Sequence, residues 1–427
     1  MALDEMPANG RMAILRPLRV ASQATRAAAV LLVLSVVTGC VASGSPILAN
    51  PPAPRPSISP PSASPVPPAD PLPVVLPRDD GPHDRLTEWW YYTGHLIGSR
   101  DNTVASYSAN PQRFGFEFVI FRAERGSFPT TWASHLAITD ETGDTFHYAQ
   151  RVEIGPQVDR SPRGSDGTPS GFDLDLTGAD PSRPDTVGRP PWQMSGRNGS
   201  DLLRVTLAPD EARAAGVPTL SVSLSLATRK LPALHDRDGW IDFGPAGGSY
   251  YYSRTSMAAE GSLVLGETTY RVVGDAWFDH QWGDFISVGG GGWDWFAVNL
   301  EDGTDLTLSL VRDADGSYPL VYGTLVDATG TTRHLERDAF SVTSTRQWTS
   351  PTTGATYPAA WSIAIPGERL MIELEPTVAA QELDTRPSTG VVYWEGSQIV
   401  TARRGSQELT GQGYVELTGY GPSGVAP

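Results

Sequence analysis

Between residues 88 and 417 the sequence runs as short β-prone segments separated by Gly-, Asp- and Pro-rich turns, and segments of helical period are almost absent. That property excludes helix bundles and alternating α/β folds and leaves antiparallel sheets closed into barrels or sandwiches. Over 113–122, Phe114, Phe116, Phe118 and Ile120 share one strand face. The other face carries Gly115, Glu117, Val119 and Phe121 and is half apolar too. Residues 132–140 and 145–152 predict a hairpin turning at Glu141-Thr-Gly143. Further strands are expected at 202–207, 220–227, 249–257, 261–265 and 268–273, with a second series from 293–300 to 411–417. Residues 155–200 read as a long irregular connection with one strand at 171–176, and the best helical segment, 210–215, is short. The two series open alike, on Trp89-Trp-Tyr-Tyr-Thr-Gly-His-Leu96 and Trp293-Asp-Trp-Phe-Ala-Val-Asn-Leu300, which points to two related β domains.

The N-terminal region has a different composition. A short apolar run at 27–37 follows several arginines and ends at Val37-Thr-Gly-Cys40. The run is shorter than the ~20 apolar residues that span a bilayer and fits the apolar region of a secretory signal. Val-Thr-Gly-Cys resembles a bacterial lipobox, with Cys40 as the lipidated residue. Cys40 is also the only cysteine, so no internal disulfide exists. From Val41 to about Pro77 the chain is rich in Pro, Ser and Ala and predicts an extended tether. The expected organisation is a signal peptide over 1–39, a tether over 40–78, and β domains over 79–285 and 286–427. It places the protein outside the cytoplasm, lipid-anchored to a bacterial cell membrane.

The net charge is -16, and residues 1–39 contribute +2 (four Arg against Asp4 and Glu5), so the remainder carries -18. Such a body repels phosphate backbones, which argues against nucleic acid as a partner. Lys230 is the only lysine, and nothing around it points to an activated amine.

The stretch Gly274-Asp-Ala-Trp-Phe-Asp-His-Gln-Trp-Gly283 concentrates acids, a histidine and two tryptophans between glycines. Buried polar groups need partners, so Asp279 and His280 pair with each other, bind a ligand in a partly apolar cavity, or pin one strand to another. Asp275, Asp279, His280 and Trp282 are the candidate catalytic residues. Glu88, Trp89, Trp90, Tyr91, His135, Tyr251, Trp277, Trp293, Trp295 and Trp394 are candidates to line a cavity. Glu88 either faces that cavity or bonds backbone amides, and His135 reads better as a satisfied core histidine. There is no Gly-x-Ser-x-Gly elbow, His-Glu-x-x-His or nucleotide-binding glycine pattern, so neither a metal nor another cofactor is expected.

Taken together, Glu88-Trp-Trp-Tyr-Tyr-Thr-Gly-His-Leu96, Phe116-Glu-Phe, Trp277-Phe-Asp-His-Gln-Trp-Gly283 and Tyr393-Trp-Glu-Gly396 resemble the AttH/carotenoid 1,2-hydratase family over about residues 80–420. The resemblance implies an all-β, tandem lipocalin-like fold with a cavity for a long apolar molecule such as a lipid, isoprenoid or polyene. It also implies two activities. One is carriage of that ligand. The other is hydratase- or cyclase-like chemistry, in which a protonated carboxylic acid attacks a double bond and aromatic rings stabilise the cation. His280 and Trp282 match the family's His-x-Trp. The hydratases place a tyrosine and an aspartate two apart on a following strand, where this chain has Thr307 and Ser309, so the usual proton donor is missing and carriage is the preferred reading. Family members described beside transporters also make an ABC-type export system a possible partner.

Overall fold

The computed structural model describes residues 69–100, 111–177, 188–285 and 290–422; the expected signal peptide, Cys40 and most of the expected tether lie outside them. Among the described residues the regular structure is almost wholly strand, in two curled antiparallel sheets of lipocalin-like type. The first is built on β1 (Thr87–Ser99), β2 (Gln112–Ala123), β3 (Thr131–Asp140), β4 (Thr145–Ile154), β5 (Phe172–Asp175), β6 (Trp192–Arg197), β7 (Ser200–Thr206) and β8 (Leu220–Thr228). Short β9 (Ala233–Leu234) and β10 (Trp240–Asp242) follow, then long β11 (Gly248–Leu265) and β12 (Thr268–Gly283). Its strand order is β4-β3-β2-β1-β12-β11-β8-β7-β6-β5, with β9 and β10 on β11. The sheet curls until β6 reaches β3, where Trp192 Nε1 donates to Ser134 Oγ at 2.6 Å.

The second sheet contains β13 (Gly290–Leu300), β14 (Asp305–Asp313), β15 (Leu320–Val326), β16 (Thr332–Leu335), β17 (Ser341–Thr349), β18 (Thr356–Ile365), β19 (Leu370–Pro376), β20 (Glu382–Asp384), β21 (Val392–Arg404) and β22 (Gln407–Leu417). Its order, β16-β15-β14-β13-β22-β21-β19-β18-β17, repeats the plan of the first. β1 and β13, the two strands that open alike in sequence, occupy equivalent places.

Several expectations change in detail. The strands expected at 249–257 and 261–265 are one strand, β11, carried through a bulge between Arg254 and Met257. β6 and β17 were not anticipated; β17 is exposed along most of its length and has no apolar face to betray it. The one α-helix among the described residues, α1 (Pro209–Ala214), has six residues, and no described helix is long and apolar enough to cross a membrane. The end of the expected tether is not free. Leu72 N donates to Tyr250 Oη at 2.6 Å, Arg85 bonds Asp70 at 2.7 Å, and Val74 and Leu76 pack on the first core.

The central strands of the first sheet are covered on both sides. Trp90, Tyr92, Leu96, Phe114, Phe116 and Phe118 fill its interior. The alternate residues Tyr91, Val119 and Trp277 meet Trp295, Ala297 and Tyr414 of the second sheet. This explains why both faces of 113–122 are apolar: one packs the barrel, the other the seam between sheets. The approach is close enough that a Cβ on Gly115 would lie 2.7 Å from the Cβ of Ser397, so a side chain there would push the sheets apart.

Candidate functional site

Strand alternation divides the stretch 274–283 between two environments. Phe278, His280 and Trp282 point into the interior of the first sheet, and Trp277 and Asp279 point into the seam. The expected acid–His–Trp cluster is therefore not one site. Asp279 and His280 do not pair with each other, because consecutive strand residues face opposite ways.

In the seam, the Asp279 carboxylate accepts hydrogen bonds from Tyr251 Oη, Ser253 Oγ and Trp277 Nε1, the last at 2.6 Å. Both ends of this network reach the second sheet: Trp295 Nε1 donates to Tyr251 Oη at 3.0 Å, and His235 bridges Ser253 Oγ (2.7 Å) and Thr324 Oγ1 (2.8 Å). Burial raises the Asp279 pKa to about 6 although all three donors oppose it. Asp275 lies on the same side but at the rim, half exposed, bonded to Arg229 (2.5 Å) and Gln412 (3.2 Å).

Further along the seam the sheets exchange hydrogen bonds reciprocally. Tyr91 on β1 donates to Glu395 on β21, and Tyr393 on β21 donates to Glu117 on β2 at 3.2 Å. His135 Nδ1 shares a hydrogen bond of 2.7 Å with Tyr393 Oη, and its Nε2 one of 3.0 Å with Ser388. Burial holds this histidine neutral, with a pKa lowered to about 3. Glu117 and Glu395 are fully buried, and Oε2 of each has no hydrogen-bond partner. Burial, then the neighbouring carboxyls, push Glu395 well above the ordinary range; burial and Glu416 push Glu117 up to about 8. Burial raises Glu416 to about 7. Among the described residues, no lysine or arginine is a leading cause of these shifts. Like charges at close quarters without a cation cannot all ionise, so the seam holds un-ionised carboxylic acid at neutral pH. A void of about 10 Å³ beside Thr93, His95, Trp277 and Tyr414 has room for one water.

The interior face builds a second constellation. Glu88 Oε1 lies 3.0 Å from His280 Nε2 and 2.7 Å from Nδ1 of His83, in the segment before β1. Glu88 Oε2 accepts the backbone N–H of His83 at 3.0 Å, the backbone contact that was one of its two expected roles. Trp90 stacks on His280 with centroids 4.7 Å apart, and Trp282 stacks on His83 at 4.1 Å.

The candidate lining residues divide the same way. Tyr91, His135, Tyr251, Trp277, Trp293 and Trp295 belong to the seam, and Trp89 sits at its edge against Phe121 and Phe285. Glu88 and Trp90 are interior. Trp394 does not join the sheets: it is sunk in the second core, with Nε1 on the Ala379 carbonyl, and its neighbours Tyr393 and Glu395 face the seam instead.

A family model for AttH-like proteins matches residues 67–420. The chain belongs to the AttH-like family. Among solved structures, an AttH-assigned protein from Nitrosomonas europaea is 27% identical with a TM-score of 0.64, covering 82% of this chain and 98% of that one. Kievitone hydratase from Nectria haematococca is 18% identical with a TM-score of 0.58, covering 81% and 93%; at that identity the likeness is one of fold. No curated protein matches the sequence significantly.

In this AttH-like protein Thr307 and Ser309, the residues that the sequence resemblance aligned with the hydratase tyrosine and aspartate, are buried, and Ser309 lies in register with Trp295. The acids nearby come from other strands. Sequence reasoning placed Glu117 on the face opposite the core but gave it no role, and it missed His83 and Glu416. The usable signal was an acid inside an otherwise apolar strand, as in Phe116-Glu-Phe118 and Tyr393-Trp-Glu395.

Proposed function

We propose that this AttH-like protein is held outside the cytoplasm by lipid on Cys40. Its seam takes a long apolar, unsaturated molecule of isoprenoid or polyene type and supplies it with an un-ionised carboxylic acid, for water addition of the hydratase kind. The observation that carries this reading is the pair Glu117 and Glu395: buried, cation-free, and each with one oxygen unpartnered. A protonated Glu395 transfers its proton to an alkene carbon, whose π pair forms the new C–H bond. The cation lies near the rings of Tyr91, Trp277 and Trp295, which stabilise it. Water bonds to the cation, and the proton released restores the carboxylic acid.

Carriage without chemistry is the second reading. It is favoured by the narrowness of the seam, whose void of about 10 Å³ demands that the sheets part to admit a ligand, and by Thr307 and Ser309 at the hydratase positions.

The test is mass spectrometry of apolar molecules that co-purify with the full chain, detergent-extracted from its host, beside Glu395→Gln. A hydroxylated isoprenoid on the wild type with its unhydroxylated precursor on the variant supports the enzyme. The same unmodified ligand on both makes the protein a carrier. No ligand on either removes both readings and leaves an accessory role beside an export system. Anchoring is tested separately: Cys40→Ser should release the protein from the membrane fraction, and an unchanged distribution would remove the lipid anchor.

A further inference from the structure

The interior constellation of the first sheet is not used by that reading. Three donors, His83 Nδ1, Glu88 Oε1 and His280 Nε2, all lie within 4.8 Å of one another. We propose that His83, Glu88 and His280 bind one divalent transition-metal ion of the Zn²⁺ type.

The donor set is chemically suited to such an ion. Two imidazoles and one carboxylate are the protein ligands of many zinc sites that keep a further position open, and imidazole selects against Mg²⁺ and Ca²⁺. The separations of 2.7 and 3.0 Å to Glu88 Oε1 are hydrogen-bond lengths. Bonds of about 2.0–2.2 Å to a tetrahedral ion set donor edges of about 3.3–3.6 Å, so both imidazole nitrogens must move away from Glu88 Oε1 by roughly 0.3–0.9 Å. His83 can supply its part of that movement, since it lies in the connection between Asp80 and β1 rather than in a strand.

The surroundings hold Glu88 and His83 in place. Glu88 Oε2 is held by the His83 N–H at 3.0 Å, with Arg122 Nη1 3.9 Å away, which leaves Oε1 for the ion. Asp79 Oδ1 stands 3.5 Å from His83 Nε2, on the far side of the ring from Glu88. Arg78 Nη2 donates to Asp79 Oδ2 at 2.6 Å and offsets its charge, so Glu88 is the anionic ligand of the ion. Trp282 and Trp90 stack on the two imidazoles and fix their planes. Glu88 Oε1 accepts from His280 Nε2–H at 3.0 Å while Nδ1 is buried without a hydrogen-bond partner, so an ion at Nε2 takes the place of that proton, which moves to Nδ1. The His83 side chain is 19% exposed, and the ion enters past it. The sequence shows no metal-binding spacing because the ligands sit at 83, 88 and 280 and meet only through the pairing of β1 with β12.

The experiment loads untagged full chain, stripped with chelator, with Zn²⁺ alone and counts metal retained after gel filtration, beside His83→Ala. The expected result is one Zn²⁺ per wild-type chain with a raised Tm, and loss of both in the variant. Absence of stoichiometric Zn²⁺ on the wild type overturns the site, and so does equal retention by folded His83→Ala. If that variant does not fold, wild type loaded with Co²⁺ decides. An intense visible band of a four- or five-coordinate, nitrogen-ligated ion supports the site, and the weak spectrum of hydrated Co²⁺ refutes it. The proposal does not depend on the seam being catalytic.

Discussion

Asp279 and His280 are neighbours in sequence and strangers in space: the carboxylate of Asp279 lies in the seam on Tyr251, Ser253 and Trp277, and the imidazole of His280 lies in the barrel on Glu88. The strand between them separates two networks with no hydrogen-bonded member in common. Substitutions should then act independently. Asp279→Asn puts an amide where three donors need an acceptor, which costs about 1–3 kcal/mol. In a double-mutant cycle with His280→Gln, the coupling measured by urea unfolding should stay below about 0.5 kcal/mol, as for sites without shared partners. A coupling well above that would mean the two residues act as one site after all.

The cross-bonded acids predict an unusual pH dependence. The Glu117 pKa rises from 4.5 to about 8, driven by burial and by Glu416, against the hydrogen bond from Tyr393. Between those values the folded protein keeps a proton that the unfolded chain has lost. The contribution is therefore fully present below pH 4.5 and is lost as pH climbs towards about 8. Glu395 and Glu416, also raised, act in the same direction. Buried His135 and His235, with pKa values lowered to about 3, act in the opposite direction in wild type and variant alike, so the comparison decides: relative to Glu117→Gln, neutral at every pH, the wild-type urea midpoint should fall as pH rises across that window. An identical slope in the variant would show that Glu117 ionises normally in the folded state.

How much of this could be read beforehand differs by level. The alternation of Phe114, Phe116, Phe118 and Ile120 announces a strand, and the apolar residues between them announce cover on both sides, because burial is written directly into side-chain type. The quartet of motifs was enough to name the family. Which acid meets which histidine was not legible. Glu88 meets His280 because the antiparallel pairing sets Trp90 opposite His280 and Glu88 opposite Trp282, a register fixed by the whole sheet. Glu395 reaches Tyr91 across 304 positions only because the two sheets stack. Reading 274–283 as one cluster failed for a local reason that was available: a period of two sends adjacent side chains to opposite faces.

Arg254 and Asp80 tie the start of the folded body to its longest hairpin. Arg254 Nη2 donates to Asp80 Oδ1 at 2.7 Å, Tyr252 Oη at 2.6 Å and the backbone N–H of Asn198 at 2.8 Å complete the carboxylate, and both charged side chains are buried. Arg254→Met leaves the Asp80 charge without its cation, and breaking a buried pair in this way costs about 3–5 kcal/mol. Chemical denaturation should show that loss. A change under ~1 kcal/mol would mean that water or another cation reaches Asp80.

Lys230 gives the corresponding test for the contact between sheets. Its Nζ donates to Asp305 Oδ2 at 2.7 Å and to the Gly303 carbonyl at 2.6 Å, while Thr255 and Asn299 bond the same carboxylate. Lys230 follows β8 of the first sheet and Asp305 opens β14 of the second, and the two side chains are only 10% and 4% exposed. Lys230→Met strands a buried acceptor and should cost about 1–3 kcal/mol. Lys230→Arg should restore little of it, since a planar guanidinium does not fit a site built around a compact ammonium. The exposed pair Arg346–Glu375, at 58% and 52%, is the control: Arg346→Met should cost under ~1 kcal/mol, as surface pairs do. Equal losses from Lys230→Met and Arg346→Met would show that the sheets do not rely on this ion pair.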